Sequence, residues 1–194
     1  VNVRVDGTIS TAGVEAHALV VQSIGGGGGL SGLNGTTTPI VANGVGAAQD
    51  LSITVNGTIA ASGVRASAIL AHSAGSSGNG SINITVGSAA EIIGGKGAPA
   101  IAFMEGATNS LVNNGAITDL GGSGVLSNAG LLAPGGVTNT IEARLNGSLV
   151  QTSTGTLDIT LDHKARASDF AFVTGAARID GRVYISIANA GYAR

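Results

Sequence analysis

Val5-Asp6-Gly7-Thr8-Ile9, followed by Gly13-Val14-Glu15-Ala16-His17-Ala18, returns fifty positions later as Val55-Asn56-Gly57-Thr58-Ile59 and Gly63-Val64-Arg65-Ala66-Ser67-Ala68. Aligning residues 1–25 with 51–75 leaves ten identities, at positions 5, 7, 8, 9, 13, 14, 16, 18, 23 and 25. Long-period self-similarity built of short β-prone runs and glycine turns is the mark of a solenoid. A solenoid is a quasi-one-dimensional rod, a shape suited to surfaces and spacers.

Around this phrase, strict alternation recurs. Val1, Val3 and Val5 alternate with Asn2 and Arg4; Leu51, Ile53 and Val55 with Ser52 and Thr54; Ile82, Ile84 and Val86 with Asn83 and Thr85. Leu157, Ile159, Leu161 and Val183, Ile185, Ile187 continue it. Period two with β-branched residues predicts half-buried strands. No charged 3.6-period face or capping box announces a helix. The expected fold is all-β, a right-handed parallel β-helix, because parallel crossovers are right-handed in about 98% of cases. Val5, Ile9, Val55 and Ile59 should point inward and stack.

Corners are predicted where an apolar residue, Asn or Asp, Gly, a small residue and another apolar residue follow one another, at 55–59, 145–149 and 179–183, with a looser copy at 113–117. Asn/Asp-Gly is expected there to supply positive-φ positions. Two glycine tracts interrupt the pattern, Gly25 to Gly29 and the degenerate Gly75 to Gly80. Neither is followed by Gly-Lys-Ser/Thr, and Lys96 lacks the spacing of a phosphate loop, so both read as flexible loops. A loop or insertion is expected at about 26–49.

Composition narrows the function classes. The 194 residues are 43% hydrophobic but only 3% aromatic, and 33 are Gly, so Ala, Val, Ile and Leu must build thin stacked layers. Charged residues are 10%, against about 25% in typical soluble domains. A net charge of −2 offers no footprint for nucleic acid. No uncharged apolar run reaches the roughly 18–20 residues of a membrane helix. Cysteine is absent, which excludes disulfides and thiolate metal sites. Val1 is preceded by no basic or apolar leader, so any targeting signal is expected outside this stretch.

Candidate chemistry is sparse. His17, His72 and His163 are far apart, without metal-ligand spacing, and read as exposed side chains. Neither glycine tract carries the Asp of a calcium nonapeptide. Asp158, Asp162 and Asp169 form the densest acidic group but fall at outward strand positions, as solvated surface. Gly-x-Ser-x-Gly is absent, and Ser73 sits in a low-complexity turn. Sequons at Asn34, Asn56, Asn79, Asn83 and Asn146 arise from composition. The expectation is no catalytic, cofactor-binding or metal site; a carboxylate cluster on one face would instead favour a carbohydrate-active β-helix enzyme.

Composition shifts near residue 130. Four of five aromatics (Phe170, Phe172, Tyr184, Tyr192) and six of nine Lys and Arg lie beyond it. Two regions are therefore expected: β-helix coils over 1–130, and over 131–194 a capped, better-packed C-terminal segment acting as folding nucleus, with Phe170 or Phe172 buried. A rod of parallel coils needs its open end covered against edge-to-edge pairing.

The stretch from Gly13-Val14-Glu15-Ala16-His17-Ala18 to Ser23-Ile24-Gly25 with its glycine tail resembles repeats in large autotransporter passengers of Gram-negative bacteria, especially alphaproteobacterial ones. The series Leu132-Ala133-Pro134-Gly135-Gly136, Leu145-Asn146-Gly147-Ser148-Leu149, Gly155-Thr156-Leu157-Asp158-Ile159, Ser168-Asp169-Phe170, Val173-Thr174-Gly175-Ala176-Ala177 and Ile179-Asp180-Gly181-Arg182-Val183 resembles the passenger-associated transport repeat, or autochaperone region, of type V autotransporters. Together the two resemblances cover nearly the whole chain. They imply a membrane-proximal stalk or adhesin at the bacterial cell surface, exported through a downstream outer-membrane β-barrel outside this stretch. They further imply a host or surface receptor, protein or glycan, for the whole passenger. This stretch itself should be monomeric with some end-to-end association.

Overall fold

The computed structural model describes residues 1–26, 45–118, 121–134 and 142–188. Among them there is no helix; nineteen strands form three sheets, nearly all of them parallel. The first coil runs through β1 (Asn2–Val5), β2 (Thr8–Thr11) and β3 (Leu19–Ile24). The second repeats it as β4 (Leu51–Val55), β5 (Thr58–Ala61) and β6 (Ile69–Ala74), the third as β7 (Ile82–Val86), β8 (Glu91–Ile93) and β9 (Ile101–Glu105). Later coils use two sides: β10 (Asn109–Asn113) with β11 (Ala116–Ile117), β12 (Gly121–Asn128) with β13 (Leu131–Leu132), and β14 (Glu142–Gln151) with β15 (Thr156–Asp162). A short β16 (Ala167–Ser168) folds back antiparallel on β15. The last described coil holds β17 (Phe170–Val173), β18 (Ala177–Ile179) and β19 (Arg182–Ala188).

The first sheet stacks β1, β4, β7, β10, β12, β14 and then β17 and β18; the second runs from β2 through β5, β8, β11, β13 and β15 to β19; the third contains β3, β6 and β9. This is a parallel β-helix, and both long sheets pass residue 130 without a break. Val5 pairs with Val55 and Ile9 with Ile59; Val5 and both second-coil residues are buried and Ile9 half-buried, so the phrase that opens the chain stacks inward as expected. Fifty residues separate only the first two coils. Along the column Val5–Val55–Val86–Asn113–Asn128–Gln151–Ile179 the steps are 50, 31, 27, 15, 23 and 28 residues. The longest step contains residues 27–44, where most of the expected insertion at 26–49 lies; these fall outside the described residues.

The corners at 55–59, 113–117 and 179–183 lie between strands. The one expected at 145–149 does not exist: β14 runs straight through it, and Gly147 faces Gly124 of the neighbouring coil. Conformational freedom is also not what most corner glycines supply. Of Gly7, Gly57, Gly115 and Gly181, only Gly181 has positive φ, at 122°. At Gly57 a Cβ would run into the Gly7 carbonyl, and at Gly115 into those of Gly87 and Ala90. Stacked corners bring backbones too close for any side chain, which is glycine's other use.

The expectation of a better-packed C-terminal end fails. The largest fully buried side chains are Leu51, Ile53, Ile59, Ile69, His72, Ile82, Ile84, Ile92, Ile101, Ile117, Leu126 and Gln151, and only Gln151 of these lies beyond residue 130. Phe170 and Phe172 are 60% and 43% exposed, and Val183, Ile185 and Ile187 are 54–63% exposed. Phe170 and Phe172 alternate with Ala171 and Val173, which share the register of the buried Ala143 and Leu145, so both rings stand on the outward face. Val183 and Ile185, in line with Leu157 and Ile159, face inward, but no element among the described residues covers them from beyond. That coil is also uncapped among these residues.

Candidate functional site

Asp158 and Asp162 lie on β15 and Asp169 between β16 and β17, and each carboxylate is already engaged. Ser186 Oγ donates to Asp158 Oδ1 at 2.7 Å across the β15–β19 ladder. The Ala165 amide donates to Asp162 Oδ1 at 2.8 Å within the turn between β15 and β16. Asp169 is not solvated surface but buried, accepting from the Thr160 amide at 2.7 Å, while its own amide donates to the Thr160 carbonyl. The reason lies in the ladder. β13 pairs with Thr156 and Leu157 and β16 with Leu161 and Asp162, so the Thr160 amide falls between the two ladders and Asp169 supplies its acceptor.

The histidines diverge from the exposed reading in two of three cases. His163 is exposed. His17 is half-buried, and its Nδ1 accepts from the Ser67 amide at 2.9 Å, which requires an unprotonated nitrogen. Burial holds its pKa below the ordinary imidazole value. His72 is completely buried in β6, between Gln22 and Met104 in register. Gln22 Nε2 lies 3.4 Å from its Nδ1, and Glu105 Oε1 lies 3.7 Å from its Nε2, too far for a hydrogen bond. Among the described residues no three His, Cys, Asp or Glu side chains converge as a metal site would need.

The glycine tracts serve packing. Gly25 donates to the Ala74 carbonyl, and a Cβ there would overlap the backbone of Gly46 and Ala47. In the second tract the Gly75 amide donates to Asn79 Oδ1 at 2.9 Å and the Gly80 amide to Ser73 Oγ at 2.9 Å. A phosphate cradle needs such amides free. Gly27, Gly28 and Gly29 lie outside the described residues, as does Asn34. Lys96 is exposed, its carbonyl accepting from Arg65.

Two features were not foreseen. The first is a buried amide ladder at one corner, where Val5, Val55 and Val86 give way to Asn113, Asn128 and Gln151. Asn113 Nδ2 donates to Asn128 Oδ1 at 2.8 Å and to the Leu131 carbonyl at 3.1 Å; Asn128 reaches Thr156 and Gln151 reaches Arg182. The carboxamides donate to one another and to backbone carbonyls across the corner, which keeps these amides paired inside the rod. The doublet Asn113-Asn114 was visible as a corner, but nothing in it said which Asn points inward. The second is the corner between second and third sheets, where Glu15 and Arg65 both adopt left-handed φ (56° and 57°) and pair, Arg65 Nη2 to Glu15 Oε1 at 2.6 Å. In the third coil Gly97 takes that place, with φ 81°.

The outer face of the first sheet is an extended repeating surface. Ser52, Asn83, Ser110, Val125 and Ser148 form one outward column, Thr54, Thr85, Val112, Ser127 and Val150 the next. Between Arg4 and Arg178 at its ends the strip carries hydroxyls, carboxamides and methyls, with Ser110 Oγ bonded to Asn83 Oδ1 at 2.7 Å. Neither a family model, nor a curated protein, nor a solved structure matches the chain.

Proposed function

We propose that this chain is the membrane-proximal stalk and adhesive part of an autotransporter passenger, displayed at a bacterial cell surface through a downstream outer-membrane barrel. The single observation that carries the reading is the unbroken parallel ladder from Val5 to Ile179, which makes a rod with repeating outward columns. Rods of this kind present extended surfaces rather than enclosed pockets. The Ser, Thr, Asn and Val columns of the first sheet form the face that meets a host or surface receptor, since hydroxyls and carboxamides in register match the spaced donors and acceptors of a glycan or extended polypeptide.

A carbohydrate-active enzyme needs two carboxylates flanking one bond. Asp158, Asp162 and Asp169 each hold a donor of this same chain, which favours the display reading. The test is to express the chain ahead of an outer-membrane barrel translocator in a Gram-negative host. Cleavage of the chain by protease added to intact cells, with cell adhesion to a glycan array or host-cell layer above that of the barrel alone, is the expected result. Retention in the periplasm, or turnover of a polysaccharide by the purified chain, would contradict the proposal.

A further inference from the structure

His72 combines two properties that electrostatics tends to keep apart: it is ionisable, and it is completely buried. It stands in the middle strand of the third sheet, with Gln22 of β3 and Met104 of β9 beside it in register, both neutral. Its Nε2 is enclosed and makes no hydrogen bond. Among the described residues its one ion-pair partner is Glu105, whose Oε1 stands 3.7 Å from that nitrogen. Glu105 closes β9 in a left-handed conformation, φ 56°, and Gly106 follows at φ 82°. The Glu105 side chain is 43% exposed, so it has room to move. Its other oxygen, Oε2, accepts from Asn79 Nδ2 at 3.4 Å, and Asn79 Oδ1 accepts in turn from the Gly75 amide at 2.9 Å. One carboxylate thus faces the buried ring and holds the second glycine tract at once.

We propose that His72 and Glu105 form a proton-operated latch: a proton taken up by the buried ring draws the carboxylate onto Nε2 and ties the corner after β9, and through Asn79 the second glycine tract, to the third sheet. The neutral ring has one N–H and one acceptor nitrogen, and the single contact of Nδ1 with Gln22 Nε2 satisfies only one of them. An imidazolium needs two acceptors. Both are in reach. The Gln22 carboxamide, turned end for end, offers its oxygen to Nδ1, and Glu105 has about 1 Å to close for a charge-assisted bond at Nε2. Burial penalises the charged ring, but it also keeps out the water that would screen the pair. The carboxylate must stay ionised while the ring is charged, so the latch works between the ordinary Glu and His ranges, roughly pH 4.5 to 6.5. The corner already leans on its neighbours through the backbone: the Gly106 amide donates to the Ser73 carbonyl at 3.1 Å and the Ala107 amide to the Gly80 carbonyl at 3.0 Å. These are the bonds that the closed latch protects. The inference concerns the folded chain itself and stands apart from surface display.

The experiment is an NMR titration of the full chain with isotope-labelled histidine rings, together with amide hydrogen exchange expressed as protection factors. His17→Gln and His163→Gln assign the three ring signals. His72 should take up a proton in the folded chain between about pH 7.5 and about pH 5. Protection of the Gly75, Gly106 and Ala107 amides should rise about tenfold over that step. Glu105→Gln keeps the size of the side chain and removes its charge. In that variant the ring should protonate about one pH unit lower, and the rise in protection should vanish. His72→Gln has no proton to take up and should show flat protection over the same range, while His163 titrates alike in every chain. A His72 ring that stays neutral until the chain unfolds would overturn the proposal. So would an unchanged protonation midpoint in Glu105→Gln, or a protection step that survives in it.

Discussion

The first and last described coils make a natural control for each other, because among the described residues each has a neighbouring coil on one side only. In the first, Val5 is 8% exposed and Val3, Ile9 and Leu19 are half-buried. In the last, the residues in the same columns, Ile179 and Val183, are 44% and 54% exposed. The difference is the third side. The first coil closes through β3, whose Leu19 and Val21 pack across to the other two sheets, whereas the last described coil has only two. Where a coil is stacked on one side only, closure through a third strand adds burial that the last described coil lacks.

One column offers the sharpest way to break that comparison. Ile9, Ile59 and Val183 occupy equivalent positions in the first, second and last coils. Ile59→Ala, at a fully buried site with a coil on each side, should cost about 2–5 kcal/mol. Ile9→Ala should cost less, and Val183→Ala should stay within about 0.5 kcal/mol, as exposed substitutions do. Urea unfolding of the three variants checks the order; Val183→Ala equal to Ile59→Ala would refute it.

A second test sharpens the role of the closely stacked corners. Adding a methyl at Gly63 drives it into the Gly13 carbonyl, so Gly63→Ala should destabilise by about 1–3 kcal/mol. Gly7 has nothing within 4 Å of its missing Cβ among the described residues, and Gly7→Ala should be close to neutral. The same chemical change at two corners then reports stacking alone. Thermal melts of both variants measure it.

The smallest effect expected is in pH. Burial lowers the His17 pKa, so the folded state binds fewer protons than the unfolded state below the ordinary value of 6.5. Stability tied to His17 is therefore present above that value and lost as pH falls through the depressed folded value. His17→Gln should flatten this part of the stability profile between pH 7 and pH 5. An unchanged slope would mean that the ring titrates alike in both states.

Much of the fold was legible in the sequence for a physical reason. Leu51, Ile53, Val55 and Ile82, Ile84, Val86 alternate because both faces of each strand have fixed surroundings, and the fifty-residue phrase repeats because two coils share one cross-section. The 15-residue step from Asn113 to Asn128 was not legible, since Gly121-Gly122-Ser123-Gly124 has no apolar alternation to mark a strand. Nor was the depth of burial at either end. Phe170 and Phe172 are large and apolar, but they alternate with Ala171 and Val173, and one strand's composition does not say which of its two faces turns inward. Among the candidate residues, Asp169 and His72 look like any surface Asp and His in sequence; only the missing β13 partner and the full ladder of the third sheet give them buried roles.

The central claim is that stability resides in the closed, doubly stacked coils and falls away at the open last one. Native-state amide hydrogen exchange tests it residue by residue, because amides that open only with the deepest unfolding are the slowest. The account predicts that amides of Leu51–Val55 and Ile82–Val86 outlast those of Arg182–Ala188. Slower exchange in Arg182–Ala188 than in those two strands would contradict it.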